Sequence, residues 1–260
     1  METDLQLAQR AALVGAGVAL PHFAALADLP REHKADGSIV TAADRAVERA
    51  IREVLAEARP DDAVLGEEAG ETAGTADRRW IVDPIDGTRL FVAGDDRWLV
   101  LIGLQVHGEM TVGVAAHPAQ GSIWWATRGG GTFEGRVVGA RVVAETRLHT
   151  AGDADSPADS RLGVVPEDWN LDLVAPLTAL TPARPWPIHP ALLVARGELD
   201  LAVQTGGQVW DFAATSLIVT EAGGSYSGLA GNLTPRAGAS IYARDEKLRL
   251  AALDLIGSPS

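Results

Sequence analysis

No cysteine occurs among the 260 residues. That excludes disulfides, thiolate metal sites and cysteine nucleophiles, and it leads to the expectation of a cytoplasmic setting. No apolar run approaches the roughly 20 residues that a bilayer-spanning helix needs. The opening Met1-Glu2-Thr3-Asp4 also lacks the basic flank of a secretory signal. Positive charge is scarce. The 22 Lys and Arg against 35 Asp and Glu leave a net charge of −13, which argues against nucleic acids and anionic membranes as partners. The same imbalance would repel an anionic substrate unless bound divalent cations reversed the local sign. Repeats and low-complexity segments are absent too. What remains, 47% apolar and 22% charged, has the composition of an ordinary globular protein, large enough for one domain or two lobes.

The most informative stretch is Trp80-Ile81-Val82-Asp83-Pro84-Ile85-Asp86-Gly87-Thr88. A short apolar run, read as a buried strand, opens into two carboxylates separated by a rigid proline and followed by a glycine and a hydroxyl. Strand ends that open into loops carry much small-molecule chemistry, and two hard oxygen ligands suit Mg²⁺. A polar turn after an edge strand accounts for the same residues, so the remaining ligands must come from elsewhere in the chain.

Residues 4 to 27 have helical periodicity, which Pro21 should kink or break. Gly15-Ala16-Gly17 follows no strand and is not a dinucleotide fingerprint. Lys34 lies in the polar turn 33–41. Thr41 with Asp44 resembles a capping box for a helix over about 42–58, and locally Lys34 and Asp44 read as plain loop and cap residues. A short strand, Ala63-Val64-Leu65, runs into Gly66-Glu67-Glu68. If it neighbours the Trp80 strand, Glu67 comes alongside Asp83. Strands at about 97–106, 109–117 and 121–126, with a tight His107-Gly108 turn, predict a largely antiparallel sheet. Gly129-Gly130-Gly131 reads as a turn, because no Lys-Ser/Thr pair or helix follows it as a phosphate cradle requires. Residues 150–160 form a surface loop. Beyond it the pattern is α/β: a strand at 162–165, a weak helix at 171–180, an extended proline-rich segment at 181–190, a helix at 191–197 and a strand at 200–203. Asp211 opens an apolar helix ending at Glu221-Ala222-Gly223-Gly224, where it serves as an N-cap or faces a metal or anion. A strand near Ile241 and a helix at 245–256 close the chain. The expected division is residues 1–145, helices with an antiparallel sheet, and residues 146–260, an α/β lobe.

Four signals in order, Lys34 to Asp44, Gly66-Glu67-Glu68, Asp83 to Thr88, and Trp210-Asp211 with Glu221-Ala222-Gly223-Gly224, resemble the inositol monophosphatase superfamily of Mg²⁺-dependent, Li⁺-sensitive phosphatases. The segments Trp80 to Val92 and Trp124 to Gly131 look most like bacterial histidinol-phosphate phosphatases. The resemblance implies a layered αβαβα sandwich of mixed α+β class and a homodimer. It implies two or three Mg²⁺ ions per site, with Mn²⁺ as an alternative and Li⁺ inhibitory. One ion would sit on Glu67, Asp83 and the carbonyl of Ile85, the next on Asp83, Asp86 and Asp211. Glu68 would orient a water, and Thr88 with Asp44 would position the attacking one. Gly87 and Thr88 would face the phosphate, and Lys34 would belong to a loop closing over the site.

The leaving-group side departs from the family pattern. Where an acidic residue is usual after the strand ending at Val203, Gln204 stands. The proline-rich 181–190 segment with His189 replaces an Arg/Gly element. Gln204 and His189 are the substrate-side candidates, although a lone histidine between prolines reads first as structural. The expected function is hydrolysis of a small phosphomonoester by a metal-activated water, with histidinol phosphate first and an inositol, sugar or nucleoside monophosphate next. A non-catalytic metal-binding regulator would be expected to have lost one of Glu67, Asp83, Asp86, Thr88 or Asp211, and all five are present. A carboxylate-pair glycosidase would work without metal.

Overall fold

The structure, a computed structural model, describes residues 2–26, 31–33 and 39–257. Lys34 lies outside the described residues. Helix α1 (Asp4–Ala24) starts at a Thr3–Gln6 capping box and carries Pro21 in its last turn. The proline therefore falls at the helix end instead of breaking its middle, where a missing N–H forfeits a single bond. Strands β1 (Arg31–His33) and β2 (Ile39–Thr41) form a small antiparallel pair. Helix α2 (Ala42–Ala58) follows at once, with Val47, Ile51 and Leu55 buried along one stripe.

The large sheet contains β3 (Ala63–Gly66), β4 (Gly70–Thr72), β5 (Arg78–Asp86), β6 (Leu99–Val106), β7 (Glu109–His117), β8 (Ser122–Thr127), β9 (Gly131–Val138) and β10 (Arg141–Leu148). Its order is β10-β9-β8-β7-β6-β5-β3-β4. All pairs are antiparallel except β3 with β5, which run parallel with Gly66 opposite Val82. Between β5 and β6 lies the short helix α3 (Thr88–Ala93). The second sheet, β11-β12-β14-β13, joins β11 (Leu162–Val165), β12 (Leu201–Gln204), β13 (Ser225–Gly228) and β14 (Ser240–Ala243). The helix expected at 171–180 is split into a 3₁₀ turn at Leu171–Val174 and a short α4 (Ala175–Thr178). Pro176 lacks the N–H that would carry one helix through. Helices α5 (Pro190–Ala195), α6 (Val209–Glu221) and α7 (Glu246–Gly257) complete the chain.

These elements stack in five layers. Helices α1 and α2 cover one face of the large sheet, and α5 and α6 fill the space between its other face and the second sheet. Helices α4 and α7 close the far side. The layered αβαβα sandwich expected from the resemblance is observed. Central strands are thus covered on both faces, which explains why they read as continuous apolar runs despite being antiparallel.

Close approach of α6 to the sheet depends on two glycines that face each other, Gly103 on β6 and Gly113 on β7. A Cβ on Gly113 would lie 2.6 Å from the Ala214 carbonyl oxygen, and one on Gly103 would lie 3.1 Å from the Ala213 Cβ. Gly113→Val should therefore push α6 outward and cost about 1–3 kcal/mol. A fall in melting temperature of roughly 3–10 °C is expected for a chain of this size. Gly17→Ala, where an added methyl meets nothing within 4 Å, should be neutral or stabilise by up to ~1 kcal/mol. Equal melting temperatures for the Gly113→Val and wild-type proteins would show that α6 does not rest on this contact.

Candidate active site

Strand β5 carries the first two acidic residues, and an irregularity in it decides where they point. Asp83 pairs with Leu101 and Asp86 with Leu99, so Pro84 and Ile85 together oppose one residue of β6. This is a β-bulge, a natural place for a proline without an N–H. In a regular strand a spacing of three would send the two carboxylates to opposite faces. With the bulge, both share the face of Leu99 and Leu101, which is the one packed under α6. Ile85 turns to the other side, into the core beneath α1 and α2.

Helix α6 brings Asp211 to them. One oxygen from each of Asp83, Asp86 and Asp211 lies within 4.8 Å of the others. Of the two readings the sequence allowed for Asp211, N-cap or a carboxylate facing a metal, the first does not hold, because Asp211 occupies the third helical position. Gln208 is the cap, and its N–H donates to Asp211 Oδ2 at 2.5 Å. Parallel pairing of β3 with β5 places Glu67, the residue after Gly66, beside Asp83. Glu67 acts electrostatically on both Asp83 and Asp86 but stands outside the tight triad of oxygens.

Burial raises the Asp83 carboxyl well above the usual carboxylate range, and Glu67, Asp86, Asp211 and Asp44 push it further up. Asp86 retains some accessible surface, yet its carboxyl lies deep enough that desolvation leads its upward shift, followed by Asp211 and Glu67. Like charges gathered out of water cannot all remain ionised without a counter-charge. The donor set is all oxygen, with no sulphur or nitrogen in the triad, which suits a hard divalent cation such as Mg²⁺. The residues present fit the metal.

Asp44, on the first turn of α2, joins the site from behind. Its Oδ2 accepts the Thr41 N–H at 2.7 Å and hydroxyl at 2.6 Å, and its Oδ1 accepts the Thr88 hydroxyl at 3.1 Å. It is therefore both the capping residue expected locally and the partner of Thr88. Thr88 Oγ1 also lies 3.0 Å from the Ile85 carbonyl. A hydroxyl has one proton to donate, so Asp44 and Ile85 compete for it. Gly87, in the left-handed region at φ 84°, turns the chain from β5 into α3.

Sequence reasoning missed Glu48. It lies one turn after Asp44 on the same face of α2 and is buried. Its carboxylate accepts the N–H groups of Glu68 at 2.7 Å and Ala69 at 3.0 Å, which holds the Glu67–Glu68 loop. Arg52 pairs with it at 2.7 Å and reaches the carbonyls of Val64 and Gly70. The available signal was a charged residue inside an apolar helical stripe, between Val47 and Ile51. The glycine run 129–131 is a turn, as expected, and its amides serve an internal anion: Gly129 and Gly131 donate to the Glu221 carboxylate at 2.8 and 3.0 Å.

His189 caps α5, its Nδ1 accepting the Ala191 N–H at 3.2 Å. Burial lowers its pKa to about 4, so the ring is neutral near pH 7. Gln204 lies close enough to favour the protonated ring, yet neither His189 Nε2 nor Gln204 Oε1 completes a hydrogen bond of normal geometry. His189 is first of all a cap, and both side chains are buried.

A model of the inositol monophosphatase family matches residues 1–255, and the chain belongs to that family. It is 40% identical over 242 residues to the histidinol-phosphatase of Streptomyces coelicolor, covering 90% of each chain. The histidinol-phosphatase of Mycobacterium tuberculosis is 37% identical, over 84% of this chain and 85% of that one. The structure of an inositol monophosphatase from Zymomonas mobilis superposes with a TM-score of 0.79 at 28% identity, across 98% of both chains.

Two outcomes follow. Asp83 and Asp86 are favoured in their neutral forms by the fold, so the stability they contribute is complete below about pH 4 and drains away as pH rises through their raised values. Metal-free Asp86→Asn should therefore outlast the metal-free wild type at pH 8, by on the order of 1 kcal/mol or 2–4 °C, and the gap should close near pH 4. Parallel melting curves at both pH values would contradict repulsion within the cluster. Separately, Glu48→Ala should leave two part-buried amides without their charged acceptor, at a cost of about 1–3 kcal/mol. Hydrogen exchange at Glu68 and Ala69 is expected to accelerate, and unchanged protection there would show that Glu48 does not hold the loop.

Proposed function

We propose that the chain is a divalent-cation-dependent phosphomonoesterase that hydrolyses histidinol phosphate, with Mg²⁺ as the working ion. The observation that carries this is the convergence of Asp83, Asp86 and Asp211 within 4.8 Å, next to a hydroxyl–carboxylate pair, Thr88 with Asp44. The family membership and the named activity of the two histidinol-phosphatase relatives support it.

Hydrolysis breaks the ester P–O bond and forms a new P–O bond from water, and the leaving alkoxide takes a proton. The uncatalysed reaction is very slow, so alignment and charge neutralisation must supply most of the acceleration. Glu67, Asp83 and the Ile85 carbonyl would hold one cation, and Asp83, Asp86 and Asp211 a second. When bound, such cations neutralise phosphoryl oxygens, acidify a water and stabilise the leaving oxygen. The protein's own part is orientation. Donation from Thr88 to Asp44 leaves the Thr88 lone pairs to receive a proton of the attacking water and set its line of approach. Glu68 steadies a further water, and the amides of Gly87 and Thr88 face the phosphate. The first turn of α6 adds its positive end beside Asp211. No side-chain nucleophile is involved. A homodimer, a cytoplasmic setting and a division into lobes 1–145 and 146–260 belong to the same proposal. For the membrane, none of the described helices is long and apolar enough to span one.

Phosphate release with Mg²⁺ should be measured across histidinol, inositol, sugar and nucleoside monophosphates. Histidinol phosphate is expected to be the preferred substrate, and chelator should abolish turnover. Asp83→Asn should lower kcat by about 10²–10³-fold, the scale of losing one electrostatic stabiliser, with the fold retained by circular dichroism. Preference for another member of the panel would overturn the substrate, and no release from any would overturn the enzyme.

A further inference from the structure

Trp169 is 53% exposed in the segment following β11, whereas Trp80, Trp98, Trp124, Trp125 and Trp186 are buried. Its ring lies on the backbone of Gly206, where an added Cβ would sit 2.5 Å from ring carbon Cζ3 and 2.6 Å from Cη2. Only glycine permits that contact. Two hydrogen bonds pin the segment to the turn after β12: Asn170 Nδ2 donates to the Thr205 carbonyl and Thr205 Oγ1 to the Trp169 carbonyl, both at 2.9 Å. On the side of β5 and α3, Arg89, the neighbour of Thr88, holds Asp168 at 2.7 Å, and Arg97 holds Glu167 at 3.3 Å. The indole is thus bracketed between the β5–α3 corner and the start of α6.

The same turn leads to the acidic cluster. A Cβ on Gly207 would lie 3.0 Å from Asp211 Oδ2. Chain geometry then places the indole edge at most roughly 12 Å from that carboxylate, a gap that the alcohol half of a small phosphomonoester spans. Glu167 and Asp168 are matched by their arginines, and Asp172 adds a further negative charge. A polyol meets an open aromatic face through its C–H groups alone. A flat ring stacks on it, and a cationic one gains further from the ring quadrupole.

We propose that Trp169 is a specificity-determining residue whose exposed face receives a planar, protonatable ring in the leaving alcohol. The proposal rests on the phosphatase reaction and names the part of the substrate that this wall selects. For Trp169→Ala, the ratio of kcat/KM for histidinol phosphate to that for glycerol 2-phosphate is expected to fall roughly 3- to 30-fold, the range of one cation–π contact. The loss should appear in KM, and Trp169→Phe should restore most of it. Saturation-transfer NMR with histidinol and the metal-free protein supplies a readout independent of turnover. The imidazole protons should receive the strongest saturation in the wild type and lose it in Trp169→Ala. An unchanged ratio, or a ring signal that survives in Trp169→Ala, would overturn the role of Trp169. If neither ester is hydrolysed the phosphatase reaction falls, and the NMR signal alone then decides whether the ring is recognised.

Discussion

Everything in this structure turns on holding like charges together away from water. Asp83, Asp86 and Asp211 converge with Glu67 and Asp44 close by, and desolvation and mutual repulsion both drive the two β5 carboxyls towards their neutral forms. No attraction among these residues could assemble them, so the backbone must. A bulge in β5 turns two carboxylates to one face. Gly103 and Gly113 let α6 settle close to the sheet. Glu221, at the far end of that helix, is held by the amides of the 129–131 turn. The central sheet, covered on both faces, provides the rigidity, and the repulsion it restrains is what a divalent cation would relieve.

A second row of carboxylates supports the first. Asp44 and Glu48 lie one turn apart on α2, buried between the helix and the sheet. Each is used by backbone or hydroxyl donors: Asp44 by Thr41 and Thr88, Glu48 by Glu68 and Ala69. A charge placed in an apolar stripe is tolerated when its acceptor capacity is filled. One helix thereby sets both the hydroxyl at the end of β5 and the loop at the end of β3. The segment around β12 is built differently. Gln204 and His189 are neutral and buried, and the exposed group there is an indole resting on a glycine. Charge gathers at the acidic cluster, and an exposed aromatic surface stands beyond the turn that leads to it.

Much of this was legible in the residues. The five-layer architecture, the α2 capping box and the His107-Gly108 turn follow from periodicity, cap chemistry or family resemblance, because those signals are local or are repeated over long stretches. The misjudged details were tertiary in origin. Pro21 is absorbed by a helix that was about to end, and Asp211 stands three residues past its cap. Strands β1, β2, β4, β9, β10 and β13 drew no assignment, and 39–41, read as part of a polar turn, is β2; β4 and β10 are edge strands with mostly exposed residues and little apolar pattern.

By itself the sequence determined which groups were available: carboxylates at the ends of apolar runs, a hydroxyl after a glycine, no cysteine anywhere. Their chemistry follows from composition and order. Only the tertiary structure decided that Asp83 and Asp86 share a face, that Glu48 supports the Glu67 loop from α2, and that Trp169 lies over Gly206. The physical reason is the same in each case. A side chain's direction depends on register and on what packs behind it, and residues tens of positions apart meet only when separate elements are docked.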